Sequence, residues 1–212
     1  RHAAELIGLS DRIWALAETA LREHASAAAI ADYAEQLGFR VERGVAGMPT
    51  AFVARYGQGR PVIGVLGEYD ALPGLSQKPI AERAPLVDGG AGHGCGHNLF
   101  GAASLGAALA IKEVFFGTPA EEDHGGKIYM ARDGLFDEVD ALLAWHPADE
   151  TQADLLTGQA IVDLMVEFRG RAAHAASDPW NGRSALDALE LFTHGVNLMR
   201  EHMRPDSRVH YT

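Results

Sequence analysis

The run Val62-Ile63-Gly64-Val65-Leu66-Gly67-Glu68-Tyr69-Asp70-Ala71-Leu72-Pro73 opens on a continuously apolar segment and closes on two acids and a proline. Such a segment suits a strand buried on both faces, as in the sheet of an α/β protein. The acids fall just past its carboxyl end, where open α/β sheets form their sites. Upstream, Arg40–Val45 and Thr50–Tyr56 are strand candidates. Ser10–Gly38 reads as one helix, with Ser10-Asp11 as its N-cap pair and Leu37-Gly38 as its stop.

Downstream, Gly67–Gly101 is rich in glycine and carries Pro73, Pro79 and Pro85. Loops this long in compact domains are usually functional or mobile. Leu99–Val114 reads as an Ala-rich helix that meets Phe115-Phe116 without turn residues, so a segment is expected to be missing between Val114 and Phe115. A short helix near Lys127–Arg132 and a strand over Ala141–Trp145 follow. The pattern restarts after Thr157: a strand over Ile161–Phe168, a loop over Gly170–Gly182, an amphipathic helix over Arg183–Met203 and a further strand from Arg208 to Thr212. Two domains are expected, 1–157 and 158–212.

The chain has 212 residues, 47% hydrophobic and 22% charged, which fits a globular protein rather than a disordered one. No apolar run approaches the ~18 residues of a membrane span. The net charge of −11 is the wrong sign for tracking phosphates, so a nucleic-acid partner is not expected. Cys95 is the single cysteine, which excludes an internal disulfide framework and makes a reducing cytoplasm the default compartment. Ten histidines raise the prospect of metal binding or acid–base chemistry.

Reactive side chains concentrate in Glu68-Tyr69-Asp70, His93-Gly94-Cys95-Gly96-His97, Glu121-Glu122 and Trp145-His146-Pro147. Cys95 and His97 are either soft and borderline metal ligands in an extended loop or a buried thiol beside a hydrogen-bonded imidazole. Glu121-Glu122 is either a solvated acidic pair or a ligand beside a base that handles the attacking water. His146 alone reads as a satisfied core histidine. Taken together, Cys95, His97, Glu122 and His146 offer S, N, O and N donors from three loops.

With Gly67–Gln77, Gly92–Asn98, Pro119–Glu122, Trp145–Pro147 and Gly170-Arg171-Ala172-Ala173-His174-Ala175-Ala176, the sequence resembles the Cys-x-His branch of the M20 metallopeptidases and amidohydrolases. The resemblance implies an α/β catalytic domain, with a central mixed sheet flanked by helices, and an inserted α+β lid domain that forms a homodimer. It implies two divalent metal ions, zinc foremost and manganese or cobalt also in use, bridged by Cys95 with His97, Glu122 and His146 as further ligands. Glu121 is then the general base, Asp70 orients a ligand, and His174 reaches the partner subunit's site to polarise the scissile carbonyl. Other branches place a ligand histidine where Glu68 stands, so no ligand role is expected of Glu68, and His93 is assigned to loop support. The implied reaction is hydrolysis of an N-acyl amino acid, a dipeptide-like amide or a p-aminobenzoyl-glutamate-like substrate through a metal-bridging water. Family members are longer and return from the lid to supply a last histidine ligand. The chain is therefore expected to hold both domains only in part. Two alternatives stand beside this reading: a catalytically inactive metallopeptidase-like protein with a binding or partner role, and a thiol enzyme with Cys95 as nucleophile.

Overall fold

The computed structural model describes residues 2–153 and 158–212. One mixed sheet holds β1 (Arg40–Arg43), β2 (Phe52–Arg55), β3 (Ile63–Glu68), β4 (Val114–Thr118) and β5 (Ala141–Leu143) in the order β1-β2-β4-β3-β5. β1, β2 and β4 pair antiparallel, whereas β4, β3 and β5 run parallel. The apolar run is thus an interior strand, as its composition demands. Alternation along the strands sends Phe52, Val65 and Phe115 to one core and Val53, Leu66 and Phe116 to another, so both faces are covered.

Five α-helices are present among the described residues: α1 (Ala3–Leu16), α2 (His24–Gln36), α3 (His97–Ile111), α4 (Gly126–Arg132) and α5 (Ala185–Met199). The single helix expected over Ser10–Gly38 is instead α1 and α2. Ala17 turns left-handed at φ 45° and ends α1, and Leu21 at φ 58° continues the break. Ser10 is not a cap. It is buried inside α1, where its hydroxyl accepts from Asn98 Nδ2 at 3.0 Å. Gly38, at φ 95°, does stop α2.

At the junction where a segment was expected to be missing, helix and strand are joined by two residues. Lys112 takes a left-handed φ of 58°, α3 passes into β4 through Lys112 and Glu113, and Val114 and Phe115 are consecutive in β4. A lysine makes the turn that glycine or asparagine would have signalled.

α3 lies close against β3 because glycines meet at the contact. A Cβ on Gly101 would sit 2.7 Å from the backbone oxygen of Glu68, and one on Gly67 would sit 2.6 Å from the Phe115 ring. This approach brings the first residue of α3, His97, to the end of β3.

The chain divides into two compact units, Arg1–Gln152 and Ala153–Thr212. The boundary expected at residue 157 lies outside the described residues. In the second unit, the strands expected over Ile161–Phe168 and from Arg208 do not form ladders among the described residues. A strand needs a neighbour for its backbone, and this unit offers only the paired Arg171 and Arg183. α5 does form, since a helix satisfies its own backbone. Ser184 caps it, accepting from the Asp187 amide at 3.0 Å. No helix among the described residues is long and apolar enough to cross a membrane.

Candidate metal centre

The carboxyl ends of the three parallel strands meet the N-terminus of α3. β3 delivers Glu68 and Asp70, β4 leads into Glu121 and Glu122, and β5 leads to His146. Gly96, at φ 85°, turns the chain into α3 between Cys95 and His97, and a Cβ there would press on Pro147 at 3.0 Å.

Asp70 is the hub. It is 1% exposed, its Oδ1 lies 2.9 Å from His97 Nδ1, and its Oδ2 accepts the Glu122 amide at 2.9 Å. His97 Nδ1 donates to Asp70, which leaves Nε2 as the ring's ligating atom. His146 is arranged the same way, with Nδ1 2.9 Å from the Pro147 carbonyl and Nε2 3.2 Å from Cys95 Sγ. Phe100 and Trp145 pack edge-on at 5.6 Å, and Trp145 Nε1 donates to Ser104 Oγ at 3.0 Å, tying the His146 segment to α3.

Two overlapping groups therefore offer ligand atoms within 4.8 Å of one another: Cys95, His97 and His146, and Glu68, His97 and Glu121. Oxygens of Glu121 and Glu122 each stand 3.9 Å from His97 Nε2. His97 Nε2 and Glu122 Oε1 are buried without a hydrogen-bond partner among the described residues. Glu68 Oε2 is 2.9 Å from His97 Nε2, yet the pair is not aligned as a hydrogen bond and that oxygen is also without one. Buried polar atoms normally have partners. Orphaned N and O atoms converging on one point beside a sulfur fit a divalent cation.

The electrostatics point the same way. Burial pushes the Cys95 thiol up to about 12, with Glu122, Glu121 and Glu68 adding to the rise. Burial opposes a charge on His97, but the hydrogen bond to Asp70 and the adjacent Glu68 carboxylate outweigh it and carry the imidazole up to about 10. Burial and the neighbouring carboxylates also lift Glu121. Without a cation the protons stay in place, and a bound cation would exchange with them.

Of the residues predicted from sequence, Cys95, His97, Glu121, Glu122, His146 and Asp70 come together. His174 lies in the second unit, exposed, with its amide donating to Asp178 Oδ1 at 2.9 Å. His93 is held by the Ile13 carbonyl at 3.1 Å, which agrees with loop support.

Over 96% of its length, the chain is 45% identical to a p-aminobenzoyl-glutamate hydrolase subunit of Escherichia coli and covers 45% of that protein. The chain belongs to the M20 family. It is also 35% identical to the human Xaa-Arg dipeptidase over 98% of the chain and 50% of that protein. A dinuclear metal-binding M20 peptidase of Bacillus subtilis shares the fold at a TM-score of 0.57, with 24% identity over 66% of this chain and 41% of its own. No family model matches. The chain spans about half the length of the curated relatives it matches.

The geometry gives Glu68, of which no ligand role was expected, a place among the candidate ligand atoms, and adds Lys127. Glu68 is buried and forms an ion pair with Lys127 in α4, directly beside His97. An acid at the end of a buried strand was a visible signal for Glu68. Nothing in the sequence marked Lys127.

Proposed function

We propose that this M20 chain carries the metal-binding portion of a hydrolase that cleaves the amide bond of N-acyl amino acids or p-aminobenzoyl-glutamate-like substrates. The observation that carries the reading is the meeting of Cys95, His97 and His146 with the carboxylates of Glu121 and Glu122 around orphaned buried atoms. Cys95, His97, Glu122 and His146 would hold two divalent ions. Zinc suits this mixed S, N and O set best, and manganese or cobalt suits its oxygen side. When bound, such ions supply an acidified water and a Lewis acid for the amide carbonyl.

The chain's own residues do the rest. Asp70 fixes the His97 ring through Nδ1 and the Glu122 backbone through its second oxygen. Glu121 takes one proton from the attacking water, whose oxygen bonds to the carbonyl carbon. The C–N bond then breaks, and Glu121 returns that proton to the amine nitrogen. The products are a carboxylic acid and an amine. His174 Nδ1 accepts from the amides of Ala176 and Ser177, both at 3.2 Å, so its proton sits on Nε2. That N–H is the donor we assign to the carbonyl oxygen in a partner copy's site. In this reading residues 1–157 are the catalytic part, 158–212 belong to a lid that pairs two copies, and a reducing cytoplasm keeps Cys95 available as a ligand.

Glu121→Gln in the full-length protein tests the assignment. Hydrolysis of N-acyl amino acids should fall by a factor of about a hundred or more while metal content holds. Loss of metal instead would exchange the roles given to Glu121 and Glu122.

A further inference from the structure

The connection between α1 and α2 touches the metal centre's loops at Ala71 and Ala120, and one residue in it stands out. Glu23 is wholly buried, at 0% exposure. Its Oε1 accepts the Ala120 amide at 2.8 Å across 97 residues of sequence. Its Oε2 has no partner among the described residues. A buried carboxyl with one oxygen unsatisfied costs stability that an apolar residue would not. Core packing alone gives no reason for a glutamate here.

The bond it makes does give one. Ala120 is fully buried and sits at φ 55°, a left-handed conformation that disfavours a residue with a Cβ. Its carbonyl accepts from the amides of His124 at 3.1 Å and Gly125 at 2.7 Å. Ala120 is thus the pivot at which the chain leaving β4 turns, and the next two residues are Glu121 and Glu122. The same connection holds the neighbouring loop as well: the Glu18 carbonyl accepts the Ala71 amide at 2.8 Å, next to Asp70. Glu18's carboxylate meanwhile takes the amides of Ala25 and Ser26, at 3.1 and 2.7 Å, at the start of α2. Both loops that bring acids to the site are therefore pinned to one short segment.

We propose that Glu23 is a positioning residue: by holding the Ala120 amide it fixes the turn that presents Glu121 and Glu122 to the metal centre. The inference rests on the metal-centre reading given above. Its test uses the full-length protein with Glu23→Gln, which keeps a carbonyl acceptor, and Glu23→Met, which fills the space without one. Zinc affinity of the metal-free protein is measured by competition with a chromogenic chelator, beside kcat, KM and the melting temperature of the metal-free form. The Gln variant should stay within about threefold of wild type in zinc affinity. A folded Met variant should lose about tenfold or more in zinc affinity and in kcat, with KM little changed. A folded Met variant that binds zinc and turns over like wild type overturns the proposal. Amide hydrogen exchange supplies a readout that needs neither metal nor the Met variant's folding. The Ala120 amide should be protected in wild type and in the Gln variant, and rapid exchange there in wild type refutes the proposal. Wild type taking up no zinc would defeat the metal-centre reading instead, leaving the exchange result to decide the role of Glu23.

Discussion

Phe115 and Phe192 both lie on apolar stripes, and they end differently. Phe115 on β4 is fully buried, 5.6 Å from the Phe52 ring, in a sheet covered on both faces. Phe192 on α5 stays 42% exposed, with Phe168 at 5.8 Å as its aromatic neighbour. Around it, Leu189 and Leu198 are exposed too, as are Ile161, Val162, Leu164 and Met165. The difference separates what a segment can do alone from what it needs company for. A capped helix closes its own hydrogen bonds, so α5 persists with nothing buried. An extended apolar segment has no such recourse, and Ile161–Phe168 stays unpaired among the described residues.

Truncating the two rings should expose the contrast most strongly. Phe115→Ala is expected to cost about 3–5 kcal/mol through lost burial and the cavity left behind. Phe192→Ala should cost no more than about 1 kcal/mol, the scale of a single aromatic pair. Urea unfolding of the whole chain, followed at Trp14 and Trp145 for the first unit and Trp180 for the second, measures both. Equal losses would erase the distinction.

A smaller change probes the α3–β3 contact. Gly101→Ala places a methyl group against the Glu68 backbone, which cannot swing aside, and is expected to cost about 1–3 kcal/mol. Because that contact sets His97 beside Asp70, zinc affinity should fall along with stability. A neutral Gly101→Ala variant would mean α3 can move away without consequence.

Much of the first unit was legible because its signals are local. The apolar run from Val62 announced a two-faced strand, and the clustered Cys95, His97, Glu121, Glu122 and His146 announced a site. The break at Ala17–Glu23 was not legible. Two left-handed non-glycine residues make it, and Glu18 and Glu23 beside them are held by Ala71 and Ala120, far away in sequence. The Glu68–Lys127 pair was hidden for the same reason, since it joins residues 59 apart. In the second unit the period-two pattern of Ile161–Phe168 is that of a strand, but pattern cannot supply the neighbour that a ladder requires.

Burial distinguishes an acid of the first unit in a way pH can read. Desolvation raises Glu23 above its ordinary value of 4.5, with Asp70's charge adding to the rise and backbone amides opposing it. The folded state thus holds this proton more tightly than the unfolded chain does. The stability so gained is complete below the ordinary value and is lost as pH rises through the folded-state value. Glu23→Gln has nothing to lose over that range. Its melting temperature should therefore gain on wild type as pH rises above the ordinary value of 4.5. A difference that stays constant with pH would show that Glu23 titrates as if exposed.

The mildest change tests the second unit on its own terms. Gly195 lies inside α5, and a Cβ added there would meet no heavy atom within 4 Å. Glycine in a helix interior carries an entropic penalty that alanine does not, so Gly195→Ala should stabilise α5 by up to about 1 kcal/mol. The Trp180 transition should shift upward while those of Trp14 and Trp145 stay in place. In full-length protein the same substitution becomes a test of what covers this helix. A gain there would mean the face at residue 195 is open in the complete molecule too. A loss would mean that another segment or a second copy packs against it.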